Sequence, residues 1–248
     1  PCLAGIVLTI ATTALWAADP LPRSQPKPEG FDSERLERVY QLVSDSVKTG
    51  RHAGAIVLIA RHGKIVGWQS YGSRDVDSGA PMANDTICRI YSMSKVVTSV
   101  ATLQLFEQNK FNLDSPVTDW LPELKGLKVY AGGMAEAPQL EAVKQAVTVK
   151  MLLNHTAGFT YDFFEGSPVH DLYKRADLWN SSSLDAFIAK VAGLPLLAQP
   201  GTAFNYSIGI DVLGLLVQRV SGEKLDDYVA RHITGPLRMN DTFFDVPA

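Results

Sequence analysis

The sequence has few of the residues that support metal, redox or nucleic-acid chemistry. It contains two cysteines, Cys2 and Cys88, and neither has a partner at the spacing of a metal site. Cys88 is therefore expected to be a small, buried apolar residue. The net charge of -3 gives no basic surface for nucleic acid. No metal, other cofactor or nucleic-acid partner is expected.

Several common enzyme signatures are also missing. The 248 residues contain no Gly-x-Ser-x-Gly nucleophile elbow, which excludes the usual α/β-hydrolase. They also lack a His-Glu-x-x-His zinc helix, a phosphate-binding P-loop, a dinucleotide fingerprint and an internal repeat. Hydrophobic residues make up 46% of the chain and charged residues 20%, as in an ordinary globular protein of one large or two modest domains.

The amino-terminal residues carry a targeting pattern. Residues 1–18 are uncharged and mostly apolar, and a polar, proline-punctuated stretch follows. This pattern predicts a signal peptide cleaved near Ala17 or Ala18, then a linker over residues 19–30. The protein is accordingly expected to be exported, periplasmic or secreted, with no stable membrane span after cleavage. The stretch has neither an initiator Met nor a basic n-region, two features of a complete signal peptide. An uncleaved membrane anchor is the alternative, although the apolar run is short for a span.

The stretch with the most chemical content is residues 91–95, Tyr-Ser-Met-Ser-Lys. Ser92 and Lys95 are three apart, so on a helix the Lys95 ammonium can lie beside the Ser92 hydroxyl. A serine hydroxyl is a weak nucleophile until a neighbouring base removes its proton. An apolar helix over residues 96–106 is predicted to be buried on nearly every face, which would place Lys95 where its charged form is disfavoured. The alternative is that Ser92 only caps this helix.

The remaining pattern predicts two structural parts. Residues 31–80 are expected to form an amphipathic helix, capped by Asp32 or Ser33, and a β-hairpin. Residues 81–248 are expected to be mainly helical and to carry the active site. Within this part, residues 126–148 are predicted to be irregular. Residues 161–180 are predicted to be aromatic, irregular and suited to a pocket wall or lid.

Two later segments contain further candidate residues. Residues 152–158, Leu-Leu-Asn-His-Thr-Ala-Gly, end a short apolar helix. His155 is interpreted as bonding the last carbonyls of that helix rather than as catalytic, because no acid is placed for it. Residues 200–207, Pro-Gly-Thr-Ala-Phe-Asn-Tyr-Ser, form a turn before another buried helix. A tyrosine in that position, Tyr206, is more often part of a core than of a catalytic site.

Taken in order, these segments resemble the serine β-lactamase and penicillin-binding-protein superfamily, in particular the class C β-lactamase-like branch with its family VIII carboxylesterases. Ser92-Met93-Ser94-Lys95 matches the Ser-x-x-Lys box. Residues 152–158 resemble a structural signature of the branch, and residues 200–207 resemble its second catalytic box. The resemblance implies an α/β (α+β) fold of the β-lactamase/transpeptidase type. Such a fold combines a helical domain with an antiparallel-sheet α/β domain, which is incomplete here.

The resemblance also implies catalytic roles. Ser92 would be the acylated nucleophile and its backbone N–H an oxyanion donor, Lys95 its proton partner, and Tyr206 a second acid/base. A nearby cation such as Lys95 would lower the pKa of Tyr206. A phenolate formed in this way can take the serine proton or activate the hydrolytic water. Which of Lys95 and Tyr206 is the base stays open.

The sequence departs from the family pattern at two places. Tyr206-Ser207-Ile208 stands where class C β-lactamases have Tyr-x-Asn, and an apolar Ile208 cannot bond the acylamido group of a β-lactam. The third box and its C-terminal strands are not found after Tyr206, so the chain is interpreted as C-terminally truncated and the activity of the chain as written is in doubt. The strand would supply a second oxyanion donor, whose loss typically costs ~10²–10³ in rate.

The favoured function is a serine hydrolase, a carboxylesterase that forms an acyl-enzyme on Ser92. A β-lactamase or D-Ala-type peptidase is a second hypothesis. A non-catalytic penicillin-binding-like module or inactive fragment is a third. The expected partner is a small-molecule ester or a β-lactam-like substrate.

Overall fold

The computed structural model describes residues 21–246. The chain divides into two compact units, Pro1–Arg89 and Ile90–Ala248, whereas the sequence pattern placed the boundary after residue 80. The predicted signal peptide, residues 1–18, lies outside the described residues. No helix in the described range is both long enough and apolar enough to cross a membrane.

The first unit has the predicted helix and hairpin. Helix α1 (Ser33–Lys48) begins after Asp32, whose side chain accepts a hydrogen bond of 2.9 Å from the Arg35 N–H. Strands β1 (Gly54–Arg61) and β2 (Lys64–Gly72) then pair antiparallel. The turn between them needs two residues with positive φ, and His62 (52°) and Gly63 (71°) supply them.

The core of the first unit is small. Among residues 21–89, the buried apolar side chains are Leu36, Tyr40 and Ile65. Helix α1 packs against β2, where Gly67 lies directly under the Tyr40 hydroxyl. A Cβ at position 67 would overlap that hydroxyl, so the glycine permits the close approach of helix and strand.

Part of the predicted linker is anchored to this hairpin. The Ser24 N–H donates to the Ile65 carbonyl at 2.9 Å, and a short turn (Lys27–Glu29) follows. The turn buries Glu29, whose carboxylate accepts bonds from Lys64 (2.8 Å) and Ser24 (2.8 Å) and contacts His62 (3.2 Å). These bonds, that of Lys64 first, lower the pKa of Glu29 to about 2. The proline spacing in this stretch did not predict these contacts with the hairpin.

The second unit is built around two packed helices, α2 and α6. Its helices and strands are α2 (Ser94–Glu107), β3 (Lys128–Met134), β4 (Ala137–Ala142), α3 (Val149–Leu153), α4 (Pro168–Ala176), α5 (Leu184–Ala192), α6 (Gly209–Ser221) and α7 (Leu225–Val229). Helix α6 lies deepest, with Val212, Leu213 and Leu216 fully enclosed. It ends at Gly222, which takes the left-handed conformation common at helix C-termini.

Two predictions of irregular structure are wrong. Within residues 126–148, β3 and β4 form an antiparallel pair with a register shift after Tyr130. The shift leaves Ala131 without a partner, and Gly132, which follows it with a φ of 144°, is paired with Gln139. Within residues 161–180, α4 begins with Pro168 in its first turn, and the Ser167 hydroxyl accepts from the Val169 N–H.

Two predictions of burial are also wrong. Helix α2 buries one face, including Ala101 and Leu105, but leaves Val96 67% exposed. An all-round apolar sequence cannot show which face meets α6, so the pattern overstated burial. Cys88, expected to be buried, is exposed.

Candidate active site

Ser92 lies at the start of α2, in a single 3₁₀ turn (Tyr91–Met93) that continues directly into the helix. It is not the helix cap, because the N-cap residue is Met93 and makes no side-chain bond. The cap interpretation of Ser92 is therefore wrong. The preceding residue, Tyr91, has φ of 43°, an uncommon value for a bulky residue. Backbone strain of this kind tends to occur at functional sites.

The turn before α6 brings Tyr206 to Ser92. The Tyr206 hydroxyl donates a hydrogen bond of 2.6 Å to Ser92 Oγ, although the two residues are 114 positions apart. Lys95 Nζ lies 5.0 Å from the centroid of the Tyr206 ring. The structure thus brings together Ser92, Lys95 and Tyr206, the three residues predicted from the sequence, and all three belong to the second unit.

The electrostatics of this group favour proton transfer through Tyr206. Burial acts to raise the pKa of Tyr206, but the bond to Ser92 and the Lys95 ammonium outweigh it, so the pKa of Tyr206 is lower than that of an ordinary phenol. A lowered pKa makes the phenolate more accessible. Once deprotonated, Tyr206 accepts a hydrogen bond from Ser92 across the same 2.6 Å, with the direction of the bond reversed, and can take the Ser92 proton.

Tyr161 and Asp211 complete the surroundings of Lys95, and sequence reasoning missed both. The Tyr161 ring centroid lies 5.3 Å from Lys95 Nζ, so the ammonium faces two aromatic rings. The buried Tyr161 hydroxyl donates to Asp211 Oδ2 at 3.3 Å. Burial, and then the Asp211 charge, raise the pKa of Tyr161, which keeps it a neutral phenol. Asp211, a lone carboxylate in the apolar stretch of α6, was the available sequence signal.

Burial raises the pKa of Asp211, while the Lys95 ammonium opposes this shift. Asp211 in turn acts to raise the pKa of Tyr206. The site therefore contains a cation that favours the Tyr206 phenolate and a carboxylate that disfavours it.

His155 contacts both the end of its own helix, where its N–H donates to the Leu152 carbonyl at 3.3 Å, and the Tyr206 turn. Its carbonyl accepts the Asn205 N–H at 2.8 Å, and its Nδ1 accepts the Ser207 N–H at 3.3 Å. Its ring centroid lies 4.9 Å from that of Tyr206. His155 thus bonds one of the last carbonyls of α3, as interpreted from the sequence, but it does so through its backbone N–H, and its ring nitrogen bonds the turn at residues 205–207 instead.

Ile208 does not face the site. Its side chain is completely buried in the core of the second unit, and Ser207 before it is 1% exposed. The side chain at the position of the family's amide therefore belongs to the core. Neither residue after Tyr206 presents an amide at the site.

An aromatic wall extends outward from Tyr161. Phe163 and Trp179 both stack on it, at centroid distances of 4.7 and 5.9 Å, and both are more than half exposed. Phe164 packs on Phe163, and both line a cavity of about 660 Å³ beside residues 165–168. This wall lies within the segment for which such a role was predicted.

A serine and a lysine three residues apart at a helix start form the Ser-x-x-Lys motif of serine β-lactamases and penicillin-binding proteins. The chain belongs to the Beta-lactamase family, whose model matches residues 39–248. It falls in the esterase-like branch of this superfamily, and its fold of helices with small antiparallel sheets is of the β-lactamase/transpeptidase type. The resemblance and the fold class predicted from sequence are confirmed.

Relatives in this branch include named esterases. Esterase EstB of Burkholderia gladioli is 32% identical over 216 residues, which cover 85% of this chain and 51% of EstB. Lovastatin esterase of Penicillium rubens is 30% identical over 213 residues, 84% of this chain and 52% of that enzyme. The solved structure of EstCE1, "a hydrolase with promiscuous acyltransferase activity", has a TM-score of 0.69 and 32% identity, covering 82% of this chain and 51% of that one. The chain spans about half the length of these relatives.

Proposed function

We propose that the protein is a carboxylesterase that forms an acyl-enzyme on Ser92. The observation that carries this proposal is the 2.6 Å bond between Tyr206 and Ser92 beside the Lys95 ammonium. The Tyr206 phenolate takes the Ser92 proton as Oγ attacks the ester carbonyl carbon, and the Ser92 N–H bonds the resulting oxyanion. Tyr206 then returns the proton to the departing alcohol, which leaves the acyl group on Ser92.

Deacylation uses the same residues in reverse. Tyr206 takes a proton from water, the water oxygen attacks the acyl carbon, and the bond to Ser92 Oγ breaks with return of the proton to Oγ. An alcohol in place of water would give a new ester. Acyl transfer is therefore a second candidate function, favoured by the similarity to EstCE1 and its described activity.

Esters are proposed as substrates in preference to β-lactams. The relatives at 30% identity or more include proteins named as esterases, and neither Ser207 nor Ile208 offers an amide for an acylamido group. Export to the periplasm or medium is also proposed, from the uncharged apolar pattern of residues 1–18. Finding residues 1–18 still attached to the mature protein would contradict cleavage.

Ser92→Ala in the full-length protein tests the nucleophile. Hydrolysis of p-nitrophenyl esters should fall to background and labelling by a fluorophosphonate probe at residue 92, followed by mass spectrometry, should disappear. The melting temperature should change little, because Ser92 is exposed and one lost hydrogen bond is worth about 1 kcal/mol. Ser94→Ala in the same turn is the matched control and should keep activity. Substantial activity in Ser92→Ala would reject the nucleophile, and nitrocefin turnover equal to ester turnover would reject the preference for esters.

A further inference from the structure

Three contacts connect His155 to the turn that carries Tyr206. Its carbonyl accepts a hydrogen bond from the Asn205 N–H, its Nδ1 accepts one from the Ser207 N–H, and its ring packs on Tyr206. The residues bonded by its backbone and side chain are thus those immediately before and after Tyr206. Ser207 Oγ extends the connection, because it lies 3.4 Å from Nδ1 and accepts the Gly209 N–H at the start of α6.

The bond from the Ser207 N–H determines the protonation state of His155. A backbone N–H can only donate, so Nδ1 must carry a lone pair and the single ring proton must be on Nε2. Protonation of Nδ1 would place its N–H against the Ser207 N–H, and two donors cannot form a hydrogen bond with each other. The bond therefore exists only while the imidazole is neutral.

The surroundings of the ring favour this neutral form. Burial, and then the nearby Lys95 ammonium, hold the pKa of His155 below the usual histidine range. The titratable groups facing the ring are Lys95 from α2 and Tyr206 from the turn. Among residues 21–246, the histidines that contact carboxylates are His62 and His232, and His155 forms no such ion pair.

The backbone of His155 is also specialised. Its φ of 59° is left-handed, which asparagine and glycine adopt more readily than most residues. This conformation turns the chain after α3 so that the carbonyl and the side chain of one residue both meet the turn at 205–207. The strained backbone is thus that of His155, a residue that contacts the Tyr206 turn and is not itself one of the proposed reacting groups.

We infer that neutral His155 is a positioning residue that fixes the Tyr206 turn, so that protonation of its imidazole releases Tyr206 from Ser92. This inference rests on the proposed role of Tyr206 in catalysis. Fixing the turn matters because a displacement of about 1 Å in a reacting group can reduce the rate ~10²-fold. Activity should accordingly be lost on the acid side as His155 protonates, in addition to any loss from protonation of Tyr206.

Two variants that both tolerate the left-handed backbone test the inference in the full-length protein. His155→Asn retains an acceptor, because Asn Oδ1 occupies the position of His Nδ1, but it cannot be protonated. His155→Gly removes the acceptor. We expect His155→Gly to reduce kcat for a p-nitrophenyl ester roughly 10²-fold while KM stays within roughly three-fold. His155→Asn should keep kcat within about ten-fold of the natural protein. When the pH is lowered from 7 to 5, this variant should lose a smaller fraction of its activity than the natural protein does.

Nitrogen NMR of the His155 imidazole gives a readout that needs no turnover. It should show the proton on Nε2 and a titration midpoint below 6.5, the ordinary histidine value. A proton on Nδ1, full activity in His155→Gly, or equal impairment of the two variants would overturn the inference. Because the imidazole measurement is independent of hydrolysis, it separates failure of this inference from failure of the proposed function, which Ser92→Ala tests.

Discussion

The Tyr206 side chain connects the nucleophile with the cation of the site. Its hydroxyl bonds Ser92, and its ring faces the Lys95 ammonium. Because the two contacts use different parts of one side chain, Lys95 can act on the proton transfer without bonding Ser92 directly. At the residue scale, Lys95 and Tyr206 therefore form one proton-transfer unit.

Lys95→Ala and Tyr206→Phe are each expected to reduce kcat/KM for an ester by ~10²–10⁴-fold, the usual contribution of general acid–base catalysis. The double variant should be within roughly ten-fold of the more impaired single variant, because residues sharing one step are not additive. Steady-state kinetics of the four proteins measure this. Losses that multiply would show that the two residues serve separate steps.

Asp211→Asn is expected to shift the acid limb of the pH–rate profile to lower pH. The Asp211 charge acts to raise the pKa of Tyr206, so its removal should lower that pKa and make the phenolate available at lower pH. The Asn side chain can still accept the bond from Tyr161. The profile of kcat/KM between pH 5 and 10 measures the shift, with the exposed Asp226→Asn as control. A shift in the opposite direction would contradict the assigned electrostatic role.

At the scale of elements, the close approach of α1 and β2 depends on a glycine, which has no side chain, at position 67. Gly67 leaves room for the Tyr40 hydroxyl, one of the few buried groups of the first unit. The tyrosine and the glycine therefore have to be considered together.

Gly67→Ala is expected to destabilise the first unit by about 1–3 kcal/mol, as overpacking does in other cores. Tyr40→Phe combined with Gly67→Ala should recover part of this loss, because the hydroxyl that meets the new methyl is gone. Urea unfolding monitored on β1 and β2 measures both. Gly126→Ala, where a Cβ would meet nothing within 4 Å, is the control. Equal stability of Gly67→Ala and the natural protein would show that α1 shifts freely.

The elements that could be predicted from sequence were those with local signals. The α1 cap at Asp32 and the hairpin turn at residues 62–63 involve neighbours along the chain, so a single sequence contains their cause. The β3–β4 pair was missed because a bulge at Ala131 and the two glycines that follow it interrupt the alternation that marks a strand. The exposed face of α2 depends on where α6 lies, which no local pattern contains.

The candidate site likewise combines residues with local sequence signals and residues whose roles depend on distant contacts. Ser92, Lys95 and Tyr206 were found because three motifs occur in the family order. The roles of Tyr161, Asp211 and His155 come from contacts across 50 residues or more of chain, which local spacing does not contain.

At the scale of the whole molecule, the two units differ in how much they bury. The first unit has a helix and a two-stranded hairpin over a few buried apolar side chains, whereas α6 in the second unit is enclosed along most of its length. A two-stranded ribbon is marginally stable by itself.

Amides of β1 and β2 are accordingly expected to exchange with solvent at least ~10-fold faster than those of α6, because local opening follows local burial. Hydrogen-exchange mass spectrometry of the native protein measures this. Equal protection of the hairpin and α6 would mean that the first unit gains stability from contacts outside its small core.

The stacking of Trp179 on Tyr161 has an optical consequence. The indole is 52% exposed, its Nε1 donates to Asp162 at 2.9 Å, and Tyr161 is one ring away from Tyr206. A ligand laid on the aromatic wall would displace water from this indole and move its fluorescence emission towards the blue. Binding could then be followed in Ser92→Ala without any turnover, and Trp179→Phe would remove the signal. The wall thus provides an intrinsic fluorescent reporter of occupancy, separate from the chemistry at the serine.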